Sequence, residues 1–383
     1  MYRGVAPAFY PHLPNPGLTC SFALLSQRYN NEHEEDPMNL RFGLLWPFRN
    51  PEFNRVPWPE LYRSHLDLIV DSEAMGYDNA WLTEHHFVDD GYSPSLLPIA
   101  AGIATRTSRI RIGTFLVLLP LHNPVRLAED TATVDIMSNG RFDLGVGLGY
   151  RRKEFSDQGI THTERGARLR EGIDIVQRLL SGEEVTIDGK FNRLNKIRIV
   201  PPALQQPHPP MWLGAVAEKS IERAAKMGFH FQVVGPPAMV KHYDACLEAA
   251  GRNPRDFNTA QLRFIHVARS RDQAWEAVAD SLHHTALNYA QWFAEANDKP
   301  GDDQAAANMP SVEELLAQRK LEMFDEQVIV GTPEDARGMI ADYLQRGRVT
   351  HLVCGMAFAG LAPHHIRSSM EIFAKDVIPA FKK

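Results

Sequence analysis

Only three cysteines occur in 383 residues: Cys20, Cys246 and Cys354. They are far apart, odd in number and show neither C-x-x-C nor metal-ligand spacing, so no disulfide framework is implied and a reducing cytoplasm fits best. Basic charge is not in excess either. Against 41 Lys and Arg stand 47 Asp and Glu, a net −6 with both signs interspersed, which argues against nucleic acid and anionic lipid as partners. Long hydrophobic runs are missing. None approaches the roughly 20 residues needed to span a bilayer, and the weak segment 18–25 is broken by Thr19, Cys20 and Ser21 with no basic cluster ahead of it. Neither a signal peptide nor an anchor is read. No repeat at solenoid spacing is visible.

The first 37 residues carry Pro7, Pro11, Pro14 and Pro16, then "NNEHEED", with no sustained period of either kind. Such a segment is expected to stay outside a core as an irregular extension. At Met38 the pattern turns to "MNLRFGLLW", the opening of a first buried strand, so the functional protein is expected to start there and to form one domain over 38–383. From Arg41 onward, short apolar runs alternate with amphipathic segments, the pattern of a parallel α/β sheet. Strands are expected at Arg41–Trp46, Asn79–Thr83, Ile110–Leu118, Phe142–Val146, Met211–Ala215, Phe229–Val234, Gln261–Ala268 and Thr350–Gly355. Between them fall helical segments such as Pro59–Met75, where Leu61, His65, Leu68 and Ile69 share one face, and Pro124–Met137, with proline at its entry. Val185–Ile199 reads as a hairpin excursion. Eight such units favour a closed (β/α)8 barrel. After the seventh strand and its helix at Asp272–Leu287, the stretch Asn288–Leu315 is too long and polar for an ordinary connection and is read as an inserted substrate lid.

In such a barrel the chemistry sits where strands end. The second strand ends in Glu84-His85-His86, and a neutral imidazole at that rim can act as acid or base near pH 7. Strand parity alone leaves open which imidazole faces inward. The fourth strand runs into "GRFDLGVGLGYRRKEF", where Gly145, Gly147 and Gly149 admit either a flat ring or simply close strand packing. It is not a dinucleotide fingerprint. After the fifth strand, "GAVAEKS" enters a helix whose free N–H groups and Ser220 hydroxyl suit a phosphate.

Together "WLTEHHF", "HNPVRLAED" with "TVDIMSNGRFDLGVGLGYRRKEF", and "PPMWLGA" closely resemble the bacterial luciferase-like family of flavin-dependent monooxygenases, from Met38 to the C-terminus. The resemblance implies a barrel that binds reduced FMN, which reacts with O2 through a flavin hydroperoxide to oxygenate an organic substrate. It implies catalytic roles for His85, beside the flavin ring, and for Glu84. It maps flavin-binding positions onto Glu129, with Arg126 as its ion-pair partner or positioning group, and onto Ala217 and Ser220 at the phosphate; Gly147, from the glycine run, is a further cofactor-binding candidate. Luciferases place an arginine against that phosphate in the glycine segment; here the position is Leu148, and Arg151 or Arg152, with Tyr150 as a further donor, are expected to substitute.

No nicotinamide-binding domain is present, so a separate NAD(P)H-dependent flavin reductase is expected to supply electrons. The family's habit implies a homodimer. A pocket built from Trp46, Phe48, Phe87, Phe115, Tyr289, Trp292 and Phe293 would take a small apolar substrate such as a terpene, aldehyde or ketone. Three alternatives stand beside this reading. An F420-dependent oxidoreductase of the same superfamily is set back by the E-H-H motif, and a non-catalytic flavin-binding protein by the full set of eight units. A metal hydrolase using His230, His266 and His351 is set back by the lack of an H-x-H pair, so no metal is expected.

Overall fold

The computed structural model describes residues 40–297 and 304–382; the expected extension 1–37 and the expected start at Met38 lie outside them. Eight parallel strands form the barrel: β1 (Arg41–Trp46), β2 (Asn79–Leu82), β3 (Arg111–Thr114), β4 (Phe142–Gly147), β5 (Met211–Gly214), β6 (His230–Val233), β7 (Thr259–Val267) and β8 (His351–Gly355). Neighbours pair in that order, and β8 pairs back onto β1 through Arg41↔His351, which closes the ring. Almost every strand residue is buried, because helices cover the outer face while side chains fill the interior.

The covering helices are α1 (Trp58–Met75), α2 (Leu96–Ala104), α3 (Pro124–Met137), α4 (Arg165–Leu180), α5 (Glu218–Met227), α6 (Ala238–Ala249), α7 (Arg271–Asn297), α8 (Pro333–Gln345) and α9 (Pro363–Asp376). The expected face of α1 is the buried one, Leu61, His65, Leu68 and Ile69, with Ser72 continuing it. The start of α3 is fixed by Asn123, whose side chain accepts from the backbone N–H groups of Val125 and Arg126, ahead of a proline that needs no N–H partner. The hairpin excursion is present as Val185–Asp188 paired antiparallel with Arg193–Ile197.

The lower barrel is plugged by Trp81. Added Cβ atoms at Gly43 and Gly113, on the two flanking strands, would fall 2.6 Å and 2.2 Å from the indole, so those glycines create the slot. Trp212 meets Trp81 edge-on at 5.3 Å, and His351 and His230 pack on Trp212 at 5.2 Å and 4.8 Å. Any cavity must therefore open toward the carboxyl ends of the strands.

Two elements depart from expectation. Regular β3 stops at Thr114, and residues 115–118 cross onto β4 through a Val117–Val146 bridge. The helix expected to end at Leu287 continues through Asn297. Asn288–Asn297 is therefore helix rather than polar lid, because Tyr289 and Trp292 fall on its inner side and are buried; residues 298–303 of the expected lid lie outside the described residues. Further on, Ile329–Gly331 adds a short strand beside the end of β7. Among the described residues no helix is long and apolar enough to cross a membrane, and Cys246 and Cys354 are free thiols.

Candidate active site

A cavity of about 400 Å³ opens at the carboxyl ends of the strands. Its walls come from the ends of β2 (Glu84, His85), the crossing segment (Phe115, Leu116), the turn after β4 (Tyr150), the entry to α5 (Ala217, Ser220) and α7 (Tyr289, Phe293). Most of this surface is apolar, with a few polar groups converging on it, as small-molecule sites are.

His85 lies on the cavity wall and is 5% exposed. Its Nδ1 is 2.8 Å from Oε1 of Glu154, a wholly buried carboxylate that also accepts from the His86 backbone N–H at 2.9 Å. Burial alone would raise the Glu154 pKa, but the His85 and Arg151 charges and these hydrogen bonds hold it below the usual range. An ionised carboxylate only accepts, so Nδ1 carries the proton and Nε2 is the ring nitrogen left for a ligand. The ring is boxed by Tyr92 and Trp292, each at 4.7 Å, and Tyr150 at 5.7 Å.

Glu84 is a cavity-wall carboxylate of a different kind. Its Oε1 accepts from Nε2 of His86 at 2.6 Å and of His122 at 2.8 Å, while Oε2 accepts from the Leu118 N–H at 3.0 Å. Burial pushes its pKa up, but the imidazole hydrogen bonds outweigh it and hold the group at about 2; His122 is raised in return, its bond to Glu84 overcoming burial. Glu84 is thus a permanent anion that pins the crossing segment. Among the described residues, Glu84, His86 and His122 are also the group whose ligand atoms, within 4.8 Å of one another, are close enough to share a metal ion. The observed spacings are those of charge-assisted hydrogen bonds.

The remaining sequence candidates divide. Tyr150 lines the cavity, stacked on Phe293 at 4.8 Å. Ala217 caps α5 and Ser220 lies in its first turn, both on the cavity. Gly147 is buried in β4 away from the lining, and a Cβ there would meet Leu116 at 2.4 Å, so its smallness lets the crossing segment lie close. Arg151 does not face the cavity: it is 4% exposed, donates to the His86 carbonyl at 3.0 Å and sits over Trp292 at 4.7 Å. Arg152 is exposed. Arg126 and Glu129 do pair, at 2.7 Å, but on the outer surface of α3 with side chains 69% and 43% exposed. Of the expected pocket aromatics, Trp46 and Phe48 pack on His65 in the core, Phe87 is half exposed, and Trp292 backs His85 rather than lining the cavity. His230, His266 and His351 do not form a metal-ligand group among the described residues.

Two residues were missed by sequence reasoning. Glu154, inside "GYRRKEF", orients His85; the one signal in the sequence is an acid three residues after Arg151, in the run that follows the fourth strand. Arg165, at the start of α4, lines the cavity with Ser220. Its Nη1 donates to the His162 carbonyl at 3.1 Å, its Nε is buried without a hydrogen-bond partner, and it has no carboxylate partner among the described residues. Burial and the Arg152 charge both press its pKa down, so an anion beside it would be welcome. Nothing in the sequence separates Arg165 from its neighbours Arg168 and Arg170.

The chain has known relatives. Residues 40–351 match the model of the luciferase-like monooxygenases. The oxygenase component of the flavin-dependent trigonelline monooxygenase of Acinetobacter baylyi is 27% identical over 338 residues, 85% of this chain and 91% of that protein. The solved monooxygenase RslO1 from Streptomyces bottropensis superposes with a TM-score of 0.74 at 25% identity, covering 89% of this chain and all of that one. An F420-dependent secondary alcohol dehydrogenase shares the fold, with a TM-score of 0.71 at 17% identity over 90% of this chain and 100% of its own. With the family model spanning the barrel from its first strand to the start of its last, the chain belongs to the luciferase-like monooxygenase family.

Proposed function

We propose that the protein is the oxygenase of a two-component system: it takes reduced FMN from a separate NAD(P)H-dependent flavin reductase in the cytoplasm and uses O2 to oxygenate a small organic substrate. One observation carries this reading: the cavity joins an oriented imidazole, an apolar aromatic wall and an unneutralised arginine beside a helix N-terminus. The arginine and the helix N-terminus suit the phosphate of FMN. A volume of about 400 Å³ suits its ring system. The name of the Acinetobacter relative, an oxygenase component, supports a separate source of electrons.

Reduced FMN, when bound, supplies the electrons that activate O2. His85 is read as the catalytic acid–base, with Nε2 exchanging a proton at the reacting end and Glu154 holding the tautomer. Glu84, a permanent anion, fixes the floor of the site by binding Leu118 and takes the two neighbouring imidazoles into a hydrogen-bonded group that reaches partly exposed His122. Tyr150, Phe293 and Tyr289 exclude water from the cavity. Arg165, Ser220 and the Ala217 backbone hold the phosphate in place of the arginine replaced by Leu148.

Anaerobic titration with reduced FMN and reduced F420, followed by 18O2 and a panel of small organic substrates, tests the proposal. Tight FMN binding and one 18O atom in product are expected. Preference for F420 with hydride transfer and no O2 consumption would replace it by the dehydrogenase reading, and flavin binding without turnover by a storage role.

A further inference from the structure

Behind the aromatic wall lies a second chamber of about 20 Å³ that shares Leu45 and Tyr289 with the main cavity. Arg49, 3% exposed, forms part of its lining. Nε and Nη2 of Arg49 engage Oδ2 of Asp90 at 2.8 Å and 2.6 Å, and the guanidinium lies over Tyr92 and Trp292 at 5.0 Å and 5.6 Å. Among the described residues Nη1 and Nη2 both lack a hydrogen-bond partner, Nη2 meeting Asp90 only as an ion-pair contact and Nη1 meeting no carboxylate. A buried guanidinium N–H without an acceptor is costly and calls for an explanation. The nearby hydroxyls of Tyr92 and Tyr289, which bond each other at 2.8 Å, and of Thr285, which donates to the Ser281 carbonyl, make no hydrogen bond to Nη1.

From this geometry we infer that the chamber is a substrate subsite, taking one carbonyl or carboxylate oxygen onto Arg49 Nη1 while the apolar body of the substrate lies in the main cavity. The inference rests on reading that cavity as the flavin and substrate site. A guanidinium only donates, so the group it takes is an acceptor. The volume admits about one oxygen atom, close to the space of a single water. Because Asp90 already balances the Arg49 charge, and His284 joins the same carboxylate at 3.1 Å, a neutral carbonyl is admitted as well as an anion. The chamber is separated from His85 by the rings of Tyr92 and Trp292, so this oxygen is remote from the atom that reacts. The substrate class narrows from a plain apolar molecule to one bearing a distal oxygen acceptor.

Calorimetric titration of FMN-loaded protein with ethylbenzene, acetophenone and benzoate tests this. Acetophenone or benzoate is expected to bind at least tenfold tighter than ethylbenzene, whichever is tighter naming the source of the oxygen, and Arg49→Met is expected to bring all three within about twofold. Because Arg49→Met leaves Asp90 buried, Thr285→Ile, which narrows the chamber with the ion pair intact, is the second variant and is expected to lose the same preference. No preference in the wild type, or a preference unchanged in both variants, overturns the inference. FMN affinity, measured on each protein, is expected to stay constant; failure of the wild type to bind FMN would sink the flavin reading and leave the oxygen preference, read on FMN-free protein, to stand by itself.

Discussion

Replacing Glu154 separates orientation of His85 from everything else in the cavity. One oxygen, Oε1, serves His85 Nδ1 at 2.8 Å, the His86 N–H at 2.9 Å and Arg151 Nη1 at 3.4 Å, and the residue is wholly buried. In Glu154→Ala the buried Arg151 cation loses its anion, which costs about 3–5 kcal/mol when a buried pair is broken. Partly exposed Glu295, 3.8 Å from Arg151 Nε, puts the expected loss at the lower end. Glu154→Gln keeps an oxygen for both N–H groups and loses only the charge, about 1.5–3 kcal/mol for charge-assisted bonds. Its amide can also turn a donor toward Nδ1 and select the wrong tautomer. Proton transfer by a positioned side chain contributes about 10²–10⁴-fold, so a part of that, about 10–100-fold in kcat, is expected to go in Glu154→Gln. FMN affinity should hold, because Glu154 does not line the cavity. The assay is single-turnover oxidation of FMN-reduced enzyme by O2, with product formed per flavin, beside urea unfolding. Because the Glu154 pKa is depressed, its stabilising share is full above about pH 4.5 and lost as pH falls below it. A Glu154→Gln enzyme with wild-type turnover would refute the assignment of His85 orientation to this carboxylate.

Arg165→Met is expected to weaken FMN binding by about tenfold or more while leaving riboflavin unchanged, since one charge-assisted contact is worth about 1.5–3 kcal/mol; equal loss for both ligands, read by fluorescence titration, would move the phosphate elsewhere. Gly145→Ala should destabilise the barrel by about 1–3 kcal/mol, because the added Cβ would lie 2.0 Å from the Thr114 carbonyl oxygen and 2.5 Å from the Gln232 amide; an unchanged melting temperature would contradict the packing described. Acid should loosen the fold through imidazoles buried neutral: burial lowers His266 to about 4 and His351 to about 3. A depressed cationic pKa stabilises above the unfolded value of 6.5 and that share is lost as pH falls, about 2 kcal/mol per residue by pH 5. His351→Gln is expected to flatten urea-unfolding stability between pH 6.5 and 4, and an unaltered slope would count against it.

The barrel was legible because its strands are buried on both faces and its helices on one, which writes two different periods into the chain. Helix α3 was legible to the residue, since Asn123 and Pro124 mark a start that local chemistry alone dictates. The site was legible only where its residues belong to strand ends. His85, Glu84, Tyr150, Ala217 and Ser220 reach one cavity because β2, β4 and β5 deliver them there. What lay hidden depends on contacts between residues far apart in sequence. Helix α7 passes Leu287 without a stop because Tyr289 and Trp292 have partners across the barrel mouth in Tyr92 and His85, and a polar sequence beyond them conceals that.

The glycine run shows why pattern and role come apart. Gly145, Gly147 and Gly149 admitted two readings, a cradle for a cofactor or close strand packing; the space at Gly145 is filled by the Thr114 carbonyl and Gln232 and that at Gly147 by Leu116, while Gly149 lines the cavity. The smallness of Gly147 serves the segment 115–118, which leaves β3, crosses onto β4 and is pinned by Glu84 through Leu118. Leu116 then fills a cavity wall that bulkier neighbours would have pushed inward. Gly145 and Gly147 therefore shape the site at one remove, by letting neighbouring segments approach closely, and the arginine that lines the cavity stands on another element, as Arg165 on α4. A cavity fixes where a charge must stand, but not which strand or helix carries it.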